Sequence, residues 1–403
     1  MPDPLLYLKA MGAAAIVSAT IVLMMVLARR HASTTWLNSV CVLGIGLGLV
    51  VGYGVVSLRL AWPPVNGLDR FLTITVPLVL GIELIAGFQI VPRWVAWLLR
   101  MSLAATIPRI LLHGSVYLSD SAEGWTRSQT GAVLVVCGAL LAGVWSLLSW
   151  LSQRSLGTSI SLALCLPILC AGLTVMMAGY IKGGVAAFPL VATLVATTIG
   201  ARLMAKRSIA LANFRAPAIV GVGVVGLFGL LFVGHFFGRL STGSALVMLH
   251  SPLLCWVAEM PRLRHRKPWL VGSLRLVLVA IPLLVVLAAA KRDFDRNMAP
   301  VAGKYSARCS TPNDNYQGRD VSGKSPRRTW DTFSTCLFHS VSSTLKTCSA
   351  TFVGNVKTGI MLTLHHQGGS DSAGPADPRV LAERLKRRRV LGERPPERQG
   401  GLH

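Results

Sequence analysis

Ten apolar stretches, each long enough to cross a bilayer, fill the first 290 positions, and short polar loops separate them. A hydrocarbon core of ~30 Å needs about 20 apolar helical residues, and in lipid only helices and closed barrels satisfy their own backbone groups. The pattern therefore predicts an all-α, polytopic transmembrane helix bundle of about ten spans: 10–28, 36–58, 71–91, 94–112, 130–151, 159–181, 183–201, 216–237, 242–260 and 269–290. The fourth run carries Arg100 and Arg109 and would also suit a re-entrant or interfacial helix. The first run precedes its positive pair, Arg29 and Arg30, the reverse of a signal peptide, so it is expected to stay as a helix.

Composition points the same way. Hydrophobic residues make up 52% of the chain and charged ones 14%, with a mean hydropathy of +0.57. Soluble domains carry roughly 25% charged residues, so a water-soluble fold of this size would lack polar cover. The net charge of +24 is read as loop asymmetry, and because the basic residues of 1–290 lie in scattered short clusters, no nucleic-acid partner is expected.

If every run crosses, one side receives twelve basic residues, including Arg154 and the cluster Arg262 to Lys267, and the other six. The positive-inside rule makes the richer side cytoplasmic, which places the chain in the cell (inner) membrane with both termini outside. Trp36, Trp94, Trp150 and Trp269 fall near the inner ends of their spans, with Trp62 and Trp125 outside, as indoles prefer the headgroup level. Lys291 and Arg292 strain this assignment, since they follow the tenth span directly.

After position 290 the composition turns to Ser, Thr, Pro, Arg and Asp, which predicts a basic, low-order tail over 291–403. Its segment from Arg379 to Arg398 reads as a solvated charge run or as a short helix on anionic lipid. Cys41, Cys137, Cys165, Cys170 and Cys255 lie in spans as small packing residues. Cys309, Cys336 and Cys348, like the adjacent His365 and His366, lack the spacing of a metal site, so no metal or cofactor is expected.

No soluble catalytic signature is present. Gly221, Gly223 and Gly226 spell the dinucleotide fingerprint, but they sit inside an apolar run with no acidic residue until Glu259, and the motif needs a strand before it and an acidic residue about 20 positions later. These glycines, like Gly44, Gly48 and Gly52 at spacing four, read as seams where helices approach closely in lipid.

Ionisable residues at membrane depth are the remaining place to look for chemistry. Glu83 is placed as the one carboxylate within a span, about 12 Å deep at 1.5 Å per residue, and Arg100 about 9 Å deep on the antiparallel neighbour. The two are candidates for a buried ion pair. Arg275 would lie in the same layer, where two guanidinium groups around one carboxylate would suit an anion or a lipid phosphate; alternatively, either arginine snorkels to the headgroups. His250, mid-span in the ninth run, would relay a proton or bond a neighbouring carbonyl. Prolines 77, 167, 189, 217, 252 and 282 would bend or break their helices. Three functions remain in view: a transporter or permease for a small or anionic solute, a non-catalytic membrane assembly component, and an enzyme acting on a lipid-linked substrate. The lipid bilayer is the expected partner in all three.

Overall fold

The computed structural model describes residues 4–27, 34–58, 62–88, 91–118, 125–154, 159–207, 217–259 and 268–309. Among them there is no strand. The helices are α1 (Pro4–Leu27), α2 (Thr34–Val55), α3 (Gly67–Arg70), α4 (Val76–Gly87), α5 (Arg93–Leu112), α6 (Arg127–Arg154), α7 (Ser159–Met177), α8 (Ile181–Val185), α9 (Ala187–Arg207), α10 (Pro217–Phe236), α11 (Thr242–His250) and α12 (Pro268–Cys309). A π-helical turn, Phe71–Thr75, joins α3 to α4 without a break, and a 3-10 segment, Ser251–Glu259, continues α11. Nine of these stretches are long and apolar enough to cross a membrane.

The ninth predicted run is the one without a counterpart among these nine. Pro252 has no N–H to give the Met248 carbonyl four residues back, and the Ser251 hydroxyl donates to that carbonyl instead, at 2.9 Å. From there the chain winds as a 3-10 helix. At about 1.5 Å per α residue and 2.0 Å per 3-10 residue, the composite of α11 and its extension is still about 30 Å long.

Neighbour contacts give the directions. Gly44 lies against Ser18 and Val22 while Gly52 lies against Ala14, so α1 and α2 are antiparallel. Gly52 also meets Pro189 and Gly48 meets Thr193, which runs α9 antiparallel to α2. Gly223 with Leu164 and Gly234 with Val175 set α10 parallel to α7. Arg275 with Ser159 and Cys170 with Leu283 set α12 parallel to α7. The composite element starts beside His235, passes Thr174 at Met248 and ends at Arg275, so it traverses the bundle against α7. With it, the described residues form ten segments of alternating direction.

Helix α10 is the hub: 94% of its span is buried, against 22% for α1 and for the apolar stretch of α12. Its glycines explain how one helix can be enclosed on every side. Gly221 faces Glu83, Gly223 faces Leu164, Gly226 faces Leu190, Gly229 faces Phe71 and Gly234 faces Val175, and in each case a Cβ would overlap the neighbour. Without a hydrophobic drive between helices in lipid, such close backbone approach supplies the packing energy. In α2 the same device is reinforced, because the buried Ser18 hydroxyl donates to the Gly44 carbonyl at 2.8 Å.

One end of the bundle is aromatic: the rings of Tyr117, Trp125 and Phe236 pack tilted or edge-on with centroids 4.8 to 5.7 Å apart, and the Tyr117 hydroxyl donates to the Phe236 carbonyl. The opposite end carries Arg154 and the starts of α7, α10 and α12. Beyond position 290 the composition changes but the helix does not stop, since α12 continues to Cys309 and measures about 63 Å at 1.5 Å per residue. The rest of the predicted tail, with Cys336, Cys348, His365, His366 and the Arg379 to Arg398 run, lies outside the described residues.

Candidate functional site

Helices α4 and α5 form an antiparallel pair that brings Glu83 and Arg100 together. Arg100 donates from Nε to Glu83 Oε1 at 2.9 Å and from a terminal nitrogen to Oε2 at 2.7 Å, the two-pronged geometry that a planar guanidinium makes with a carboxylate. Glu83 is fully buried and Arg100 is 8% exposed. The Trp97 ring, one helical turn before Arg100, lies 5.9 Å from the guanidinium carbon.

The third wall of the site is α10. Gly221 sits against the Glu83 carboxylate so closely that any side chain there would displace it. The apparent dinucleotide fingerprint thus has a packing role, as its place in an apolar run implies, and its first glycine is also the floor of the ion pair. Nothing in the sequence could mark Gly221 out from the other glycines of α10, because its partner is remote in the chain. Depth also changes: α4 ends at Gly87, four residues beyond Glu83, so the carboxylate lies about 6 Å from that end and not 12.

Arg275 does not join this layer. It is 4% exposed, it pairs with Glu259 at the end of the 3-10 segment, and it donates to the Ser159 hydroxyl at 2.6 Å at the first residue of α7. The expected cluster of one carboxylate and two arginines is replaced by two separate pairs. Glu259, next to last in the ninth predicted run, is the second in-span carboxylate that the count of one overlooked. Its position directly before a basic cluster, within an apolar run, was the available signal.

His250 stands apart from both pairs. Its side chain is exposed and its Nδ1 lies 2.8 Å from the Leu246 carbonyl one turn back, so it is held by its own helix. His235 likewise contacts the Leu240 carbonyl at 2.9 Å, near the aromatic end. The Cys165 and Cys170 thiols lie against the Ser161 and Leu283 carbonyls, the packing expected of cysteines in spans. Among the described residues no group of three or more His, Cys, Asp or Glu side chains could hold a metal ion.

The arrangement can do two things chemically. Arg100 can bind an oxyanion in place of Glu83, and Glu83 can be neutralised only if Arg100 gains another partner or leaves the site, because a stranded charge there is costly. The chain matches no known family model, and no curated protein is similar to it in sequence. What its helices establish is an integral, multi-pass membrane protein in contact with the lipid bilayer.

Proposed function

We propose that the protein is a permease-like carrier for a small anionic solute, with the Glu83–Arg100 pair as its closed contact. The observation behind this reading is the pair itself. Two charges withdrawn from water between α4, α5 and α10 cost several kcal/mol in desolvation, and well-packed apolar side chains would hold those helices at least as well. A carboxylate that occupies the oxyanion site of Arg100 is a stand-in for an anionic solute, which would displace Glu83 as the helices part. The π-helical turn at Phe71–Thr75 and the 3-10 segment supply irregular backbone in two of the helices that hold the buried charges, where such bulges and tight turns commonly mark movable points.

The test is flux. Protein reconstituted in liposomes is expected to admit one or more of a panel of small inorganic and carboxylate anions, and Arg100→Met should abolish that flux at equal protein content. Liposomes no more permeable than empty ones to the whole panel would defeat the reading. The second reading, an assembly component, draws on the solid enclosure of α10. It predicts tight liposomes and a native mass above that of one chain.

The orientation belongs to the same proposal: the Arg154 end faces the cytoplasm of the cell membrane and both termini face out. Single cysteines placed at Arg154 and Lys182 should then label from opposite sides. Labelling of both from one side would remove a crossing between them.

A further inference from the structure

The Arg154 end of the bundle holds a second polar cluster, distinct from the Glu83 site and not dependent on the carrier reading. Three residues per turn in the 3-10 segment put Trp256 and Glu259 on one face. Glu259 pairs with Arg275, and the Trp256 ring packs at a tilt of 49° against Trp150, with centroids 4.8 Å apart. The exposed Arg154 guanidinium lies 3.9 Å above the Trp150 ring.

The hydrogen bonding of this cluster is unbalanced. Arg275 Nε and the Trp256 indole N–H are both buried donors with no acceptor. Two arginines against one carboxylate leave one positive charge. Ser159 and Trp256 are half-buried and the Glu259 side chain keeps 20% of its exposure, so the cluster opens at its edge. Ser159 is the first residue of α7 and Arg154 the last of α6, which places that edge at the level where spans begin and end. Surplus donors, surplus positive charge, indoles and a position at span ends are together the requirements of a headgroup phosphate.

We infer that the Trp256, Arg275, Ser159 and Arg154 cluster binds a phosphate group, supplied by an anionic phospholipid at the Arg154 end of the bundle. To reach the two buried donors the phosphate enters at the half-buried edge formed by Ser159 and Trp256 and turns the Trp256 ring aside, so that its oxygens accept from the indole and from Arg275 Nε, while the exposed Arg154 adds long-range attraction.

The experiment uses the full chain, delipidated in mild detergent. Its thermal unfolding and native mass are followed with added phosphatidylglycerol, phosphatidylcholine or inorganic phosphate. Phosphatidylglycerol should raise the melting temperature and remain bound in the mass spectrum, with a smaller effect of phosphatidylcholine. Trp256→Phe, which keeps the ring contact, and Arg154→Gln, at an exposed position, should each weaken that effect about fivefold, the worth of one hydrogen bond or surface charge contact. Arg109→Gln, an exposed arginine on α5, should leave it unchanged. Inorganic phosphate matching the lipid, with the same two variants weakened, would support the site with free phosphate as its source. No stabilisation by any of the three, full binding by both site variants, or an equal loss in the Arg109 variant would overturn the inference.

Discussion

Among the described residues two arginines are buried, and they are held in opposite ways. Arg100 meets Glu83 by two hydrogen bonds on a fully buried carboxylate, with a glycine backbone behind it. Arg275 shares its terminal nitrogens between a partly exposed carboxylate and a serine hydroxyl, and its buried Nε has no acceptor. In the first pair both carboxylate oxygens are paired and closed off from the surface. The second is incomplete and opens at the span ends. The contrast teaches that sealing, more than the presence of charge, decides what an intramembrane pair costs to break and what it can exchange with.

Breaking the sealed pair should have the largest effect. Glu83→Gln strands a buried guanidinium and should lower stability by about 3–5 kcal/mol, read as a lowered unfolding temperature in detergent. Adding Arg100→Met should restore some of the loss, because the uncompensated charge is gone. If the single variant melts like the parent, the comparison between the pairs collapses.

Next in size comes the floor of the site. Gly221→Ala places a methyl group on the Glu83 carboxylate and should cost about 1–3 kcal/mol, as overpacking does. A neutral result would mean that α10 can shift away from α4 freely. The open pair should lose less: Glu259→Gln keeps a neutral acceptor for Arg275 at a partly solvated position, for a loss of about 1–2 kcal/mol that weakens further with added salt. A loss as large as that of Glu83→Gln would erase the difference between the two sites.

The smallest effect serves as a control on the same helix as Glu83. Gly81 of α4 has open space where a Cβ would go, so Gly81→Ala should stabilise by up to about 1 kcal/mol through helix propensity alone. A destabilised Gly81→Ala would show that α4 is sensitive to any added bulk, and that the Gly221 result says nothing specific about the ion pair.

Legibility followed the range of the interactions. Glu83 and Arg100 could be paired from the sequence because a short connection forces α4 and α5 side by side. The glycine seam of α2 was readable from its spacing of four. Arg275 could not be assigned, since its partners Ser159 and Glu259 come from segments whose neighbours depend on the whole packing order. The ninth run showed Pro252, but whether a proline kinks a helix or turns it into a 3-10 segment depends on which groups take over the freed carbonyl, here the Ser251 hydroxyl.

Chain chemistry alone thus fixed the solvent, the helical class and the approximate number of crossings, because hydrocarbon admits almost no other backbone and each apolar run reports its own length. Tertiary structure decided the order of contacts: that α10 is the hub, that Gly221 backs the Glu83 carboxylate, and that the acidic partner of Arg275 is Glu259. Those outcomes rest on close approach between residues far apart in the chain, and close approach is a property of the packed bundle that no single run encodes.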